Sequence, residues 1–132
     1  MPATIYAHLT WTTRERRPLI DSAGATFLCR FLKSVGRRHG VDVLEVGIVK
    51  DHVHLLLLLP PVLDIPRLVQ GLKGASARVA NRDKILDGEK LRWANGYDLR
   101  SVSPRAVPQV AEYVRNQPAR HPLDRITGGA ER

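Results

Sequence analysis

In the stretch KDHVHLLLLLPP, from Lys50 to Pro61, two histidines flank a single valine inside an otherwise apolar run. Residues two apart on a strand point the same way, so His52 and His54 would project together while Val53 and Leu55 project to the opposite face. Two neutral imidazoles held side by side make half of a divalent metal site, which a water or a phosphate oxygen would complete. A histidine pair on a solvent-facing sheet gives the same pattern, so a metal reading calls for a third ligand and a nucleophile. The segment EYVRNQ supplies candidates for both. In a helix Tyr113 and Gln117, four residues apart, lie one turn above each other on one face. A phenol is a poor nucleophile at neutral pH, with a reference pKa of about 10. Beside a cation that polarises a phosphodiester it meets a more electrophilic phosphorus, and the developing charge is offset. Without the histidines, Tyr113 would read as a structural tyrosine at a helix–sheet contact.

These groups need a scaffold. From Thr4 to Thr12 the residues alternate, with Ile5, Ala7, Leu9 and Trp11 on one side and Tyr6, His8, Thr10 and Thr12 on the other, which predicts a strand. Asp21 or Ser22 then caps a helix carrying Phe27, Leu28, Phe31, Leu32 and Val35 at helical spacing, ended by Gly40. The β-branched run from Val41 to Val49 predicts a second strand, Lys50-Asp51 a short turn, and His52 to Leu59 a third strand, hairpin-paired with the second. This third strand is expected to be central, because both its faces are largely apolar. Asp64 caps a second helix, with Ile65 and Pro66 in its first turn and Leu68, Val69, Leu72, Ala75 and Val79 along its apolar face. NRDKILDGEK reads as a loop, Tyr97 to Val102 as a fourth strand, and Pro108 to about Gln117 as a last helix that Pro118 ends. The polar tail from Pro122 is expected to fray. The order β, α, β, β, α, β, helix predicts an α+β, ferredoxin-like fold. Its four-stranded antiparallel sheet would have helices on one face and the other face free for a site.

One domain spanning 1–132 is expected, with 118–132 as a flexible tail. A chain that is 43% hydrophobic can build a core without a metal or disulfide staple. Cys29 stands alone, which excludes an internal disulfide, and the N-terminus shows no signal-peptide pattern. A cytoplasmic location is the resulting expectation. The Leu55–Leu59 run stops at Pro60, short of the roughly 20 apolar residues that span a bilayer, so no membrane partner is expected. Lys and Arg number 21 against 13 Asp and Glu, a formal charge of +8, which favours a polyanionic partner.

Taken together and in order, KDHVHLLL, LKGAS, WANGYDLRSVS and YVRNQ resemble the single-tyrosine transposases of the HUH endonucleases, the class that includes insertion-sequence and REP-associated tyrosine transposases. The resemblance runs from about Tyr6 to Gln117. It implies that His52, His54 and Gln117 hold Mg²⁺ or Mn²⁺ and that Tyr113 attacks single-stranded DNA. The products would be a 5′-phosphotyrosine link and a free 3′-hydroxyl, with strands rejoined by the reverse attack. It further implies a homodimer that recognises DNA hairpins, in which each site is built within one chain or shared between two. Pro118, directly after Gln117, departs from a continuous helix, and His121, eight residues after Tyr113, is the alternative third ligand.

For DNA contacts the candidates are Arg14, Arg16, Arg17, Lys73 and Arg78, with Arg120 and Arg125 in the tail. Trp93, beside Arg92 and the Asn95-Gly96 turn, is expected to be exposed for stacking, whereas Trp11 belongs to the core by strand phase. Two other classes compete with a strand transferase. A non-catalytic single-strand-binding module would not need Tyr113 near the histidines. A metal-dependent phosphodiesterase using water would release its product rather than retain it covalently.

Overall fold

The computed structural model describes residues 4–120 and Ile126. Four strands, β1 (Ile5–Thr12), β2 (Asp42–Val49), β3 (His52–Leu59) and β4 (Asp98–Val102), form one antiparallel sheet in the order β2-β3-β1-β4. The histidine strand β3 is therefore interior, flanked by β2 and β1, as its two apolar faces require. Helix α1 (Ser22–Arg38) connects β1 to β2, and the Lys50-Asp51 turn closes the β2–β3 hairpin.

Strand phase divides the molecule. Leu9 and Trp11 of β1, with Val53, Leu55 and Leu57 of β3, meet Leu28, Leu32 and Val35 of α1 and Leu68, Leu72 and Ala80 of the second helical segment in one cluster. Each of the three β3 residues is fully buried, and each contributes about 1.5–3 kcal/mol by leaving water. That burial locks the register of β3, because a one-residue slip would turn every leucine to the opposite side.

Asp21 caps α1, its Oδ1 accepting from the Gly24 amide at 2.8 Å, and Asp64 caps the second helical segment, accepting from the Arg67 amide at 3.1 Å. Gly40 follows α1 at φ 75°, a left-handed position that glycine occupies without steric cost.

Two helices differ from the sequence expectation. The second is interrupted: α2 (Ile65–Gln70) passes through a π turn at Gly71–Ala75 into α3 (Ser76–Arg82). The extra residue in the π turn rotates the buried face by one position, so Ser76 and Ala80 are buried where Ala75 and Val79 were expected. The last helix, α4 (Val107–Arg115), starts one residue before Pro108 and ends two before Gln117, which opens a separate short turn, α5 (Gln117–Arg120). Pro118 is the reason: it has no amide hydrogen for an α4 bond and restricts the residue before it. Residues 118–120 are thus helical, and Ile126 packs against the core. His121 and Arg125 lie outside the described residues, and no described helix is long and apolar enough to cross a membrane.

Candidate active site

The sheet face away from α1–α3 carries the even-phase residues of β1 and β3. Antiparallel pairing sets Thr12 opposite His52, Thr10 opposite His54 and His8 opposite Leu56. On the other flank of β3, Val49 pairs with His52 and Gly47 with His54. Helix α4 lies across β2 and β3 on this face. It approaches so closely that a Cβ on Gly47 would overlap the Val114 carbonyl oxygen, and would stand 2.9 Å from its carbon and 3.0 Å from Gln117 Cγ. Gly47 is the seat of the tyrosine helix. An ion pair from Arg115 to Glu45, 2.9 Å, borders the same contact; being largely exposed, it adds at most about 1 kcal/mol.

His52, His54, Tyr113 and Gln117 meet here within one chain. His52 and His54 are buried, their ring centroids 5.1 Å apart, and the Tyr113 ring sits edge-on to His54 at 5.7 Å. Gln117, fully buried, brings Oε1 to 3.5 Å from His52 Nε2. Two hydrogen bonds give that approach its meaning. The Gln117 Nε2 donates to the Tyr113 carbonyl at 3.1 Å, which turns Oε1 toward His52. Nδ1 of His52 lies 2.7 Å from Asp51 Oδ1, so the ring donates there and carries its lone pair on Nε2. The Gln117 amide oxygen and the His52 imidazole Nε2 thus approach each other inside the protein. A cation fits such a pair, and nitrogen with oxygen donors suits Mg²⁺ or Mn²⁺. The set is two imidazoles and an amide; among the described residues no three His, Cys, Asp or Glu side chains form a metal-binding group.

Two participants, Asp51 and His8, escaped sequence reasoning, and a third, Arg16, was expected only as a DNA contact. Asp51 was assigned only to a turn, yet its carboxylate bridges His52 and Arg16, whose Nε donates to Oδ2 at 3.2 Å. Arg16 reaches inward because Glu15 and Arg16 both adopt left-handed backbone conformations, φ 56° and 54°. Such strain costs on the order of 1–3 kcal/mol per residue and persists where surroundings enforce it. The other missed residue is His8, whose Nε2 lies 2.8 Å from His54 Nδ1 and whose ring stacks on His54 at 5.0 Å and meets the Tyr113 ring edge at 5.9 Å. Burial holds the His8 imidazole below the usual histidine range, with Asp98 pulling it up and Arg100 pushing it down. The even phase of β1 put His8 on the correct face; only the pairing of β1 with β3 puts it beside His54.

The expected DNA contacts fall in two places. Arg14 and Arg17 are exposed and line a cleft of about 520 Å³ with Lys90 and Arg92, close to the Arg16–Asp51–His52 chain. Glu89 pairs with Arg17 at its rim. Arg78 is exposed on α3, in the helical layer across the sheet from the histidines. Trp93 is half-buried rather than exposed: it packs edge-on against Trp11 at 5.6 Å, and its indole N–H donates to Ser76 Oγ at 3.1 Å. An antiparallel bridge from Thr13 to Trp93 draws it inward. Lys73, in the π turn, donates to the Ala94 and Gly96 carbonyls at 2.7 Å each. Thus LKGAS and WANG, linked by contacts 17 to 23 residues apart in sequence, are one structural unit in which Lys73 and Ser76 clamp the loop before β4. Lys73→Met should lower stability by about 1–2 kcal/mol, after discounting a half-exposed charged donor. A urea midpoint unchanged from native would show that the clamp carries no load.

The family described as "Transposase IS200 like" matches residues 3–117. ISDra2 transposase TnpA of Deinococcus radiodurans is 33% identical over 116 residues, covering 83% of this chain and 81% of that protein. The transposase for insertion sequence element IS200 of Salmonella typhimurium is 22% identical over 83% of this chain and 74% of its own. Among solved structures, a candidate transposase from Deinococcus radiodurans R1 gives a TM-score of 0.69 at 28% identity, covering 89% of this chain and 93% of that one. A REP-associated tyrosine transposase bound to a REP hairpin gives 0.70 at 14% identity, covering 92% and 71%, a likeness of fold.

Proposed function

The chain belongs to the IS200-like transposase family, and from that membership we propose that it cuts and rejoins single-stranded DNA through a 5′-phosphotyrosine link formed by Tyr113. The observation that carries the reading is the convergence of the half-buried Tyr113 ring with the buried His54, His52 and Gln117 on one face of the sheet. The substrate is single-stranded DNA bearing a hairpin, the structure that the REP-associated relative holds. A homodimer presenting two such sites to two DNA ends belongs to the same proposal.

His52, His54 and Gln117 would hold Mg²⁺ or Mn²⁺. Bound there, the cation supplies positive charge to the phosphate oxygens and lowers the barrier to attack at phosphorus. The chain's own residues do the rest. Tyr113 Oη forms a bond to phosphorus as the bond to the 3′ oxygen breaks; the phenol loses its proton and the departing oxygen ends as a 3′-hydroxyl. The tyrosyl phosphodiester keeps the energy of the bond it replaced, so the reverse attack needs no ATP. Asp51, tied to Arg16, keeps His52 in the tautomer that offers Nε2, and the Gln117 bond to the Tyr113 carbonyl fixes the ligand to the nucleophile's own helix. Arg14 and Arg17, with Lys90 and Arg92 in the same cleft, are placed for phosphates flanking the cut. Arg78, exposed on α3, is a proposed contact on the helical side, whereas Lys73 and Trp93 are committed to the loop before β4.

Incubation with labelled single-stranded hairpin DNA and Mn²⁺ should give a protein–DNA species that survives denaturation. His52→Ala should lose that species and its cation dependence together, by more than the roughly 10- to 100-fold that second-shell changes cost. Cleavage that leaves only free DNA ends would indicate hydrolysis by water. Binding without any cleavage of the relative's type of hairpin would favour a pure binding module.

A further inference from the structure

His8 lies outside the set of residues that the reaction needs on paper, yet it is the nearest polar neighbour of His54 in β1. Its Nε2 stands 2.8 Å from His54 Nδ1, and Thr10 Oγ1 stands 3.2 Å from the same atom. At 2.8 Å between two imidazole nitrogens one must donate and the other accept. The rings are near-parallel, 24° apart, so the pair is fixed by stacking as well as by the bond. On the other side of the pair, both rings meet Tyr113 edge-on, at 5.9 Å from His8 and 5.7 Å from His54.

We propose that His8 is a positioning residue: its Nε2 accepts the Nδ1 proton of His54, fixing that ring in the tautomer whose lone pair is on Nε2, while its ring walls the pocket that orients Tyr113. The proposal rests on the metal reading of His52, His54 and Gln117 for its consequence, but not for its geometry. It gives each strand histidine an acceptor at Nδ1, Asp51 for His52 and His8 for His54. The two acceptors come from different elements, the β2–β3 turn and the neighbouring strand β1. Both rings would thereby offer the same nitrogen, Nε2, without waiting for a cation to select the tautomer. Thr10, 3.4 Å from His8 Nε2 and opposite His54 in the register, supports the same triangle.

The test reads the tautomer directly. In ¹⁵N-labelled, metal-free protein, above the pH at which the rings are neutral, two-bond nitrogen–proton correlations assign His54. The expected result is an Nδ1–H tautomer in the native protein. In His8→Phe, which keeps an aromatic wall but removes the acceptor, His54 should shift toward the Nε2–H form that free imidazole prefers. His8→Gln, whose side-chain oxygen can take the place of Nε2, should restore the native tautomer. Mn²⁺ affinity, followed by electron paramagnetic resonance, should fall about 10-fold or more in His8→Phe and recover to within about threefold in His8→Gln. A native His54 already in the Nε2–H form overturns the proposal whether or not the variants fold. So does His8→Phe with native Mn²⁺ affinity, provided His52→Ala loses it. If the native protein and His52→Ala bind Mn²⁺ alike, the metal reading fails, while the tautomer still decides the role of His8.

Discussion

Tyr113→Phe should abolish the covalent protein–DNA species, a fall on the order of 10⁴-fold or more, the scale on which loss of an essential nucleophile acts. The change deletes one oxygen and leaves the ring. Contacts of the ring edge with His8 and His54 are therefore kept, and Gln117 still bonds the backbone carbonyl of residue 113 rather than its side chain. Hairpin DNA should bind within about twofold of the native affinity, because the arginines proposed as phosphate contacts are untouched. The measurement is single-turnover cleavage with denaturing electrophoresis, beside a binding isotherm at fixed salt. Native-rate cutting by Tyr113→Phe would remove Tyr113 from the reaction.

The second large effect comes from a residue with no side chain. Gly47→Ala places a methyl group on the Val114 carbonyl, a backbone atom in the last turn of α4 that cannot rotate aside. The helix must lift, carrying Tyr113 and Gln117 with it. Misplacing a reacting group by about 1 Å costs on the order of 10²-fold in rate, and overpacking costs about 1–3 kcal/mol in stability. The fold should survive, because the principal core lies on the other side of the sheet. Adduct formation should drop by about 100-fold, with strand histidines and DNA binding largely intact. A Gly47→Ala protein that cuts at the native rate would mean that α4 is seated otherwise. The contrast between the variants is diagnostic: Tyr113→Phe loses chemistry at constant stability, whereas Gly47→Ala loses both.

Much of this was legible in the sequence for definite reasons. The alternation in β1 and β3 named their faces, the capping carboxylates Asp21 and Asp64 marked helix starts, and a four-residue spacing joined Tyr113 to Gln117. Each of those signals is local. The residues that were missed depend on which strand lies beside which. His8 becomes a neighbour of His54 only in the order β2-β3-β1-β4, and Asp51 meets Arg16 only because two consecutive non-glycine residues turn left-handed. Gly47 gave no signal at all, since a glycine that admits a helix looks in sequence like any glycine in a strand. Trp93 was misjudged for a related reason. Its neighbours Arg92 and Asn95 are exposed, but the bridge to Thr13 rotates its ring onto Trp11.

The two halves of the site are held with unequal tenacity. The imidazoles ride on a strand hydrogen-bonded along both edges and anchored by leucines from beneath, whereas the phenol rides on nine residues resting on a glycine. Amide exchange should rank them accordingly, with β3 protons surrendered only on global unfolding and α4 protons released through smaller, local openings. Under the proposed chemistry, the arm that carries the phenol can depart and return while the anvil it strikes against stays put.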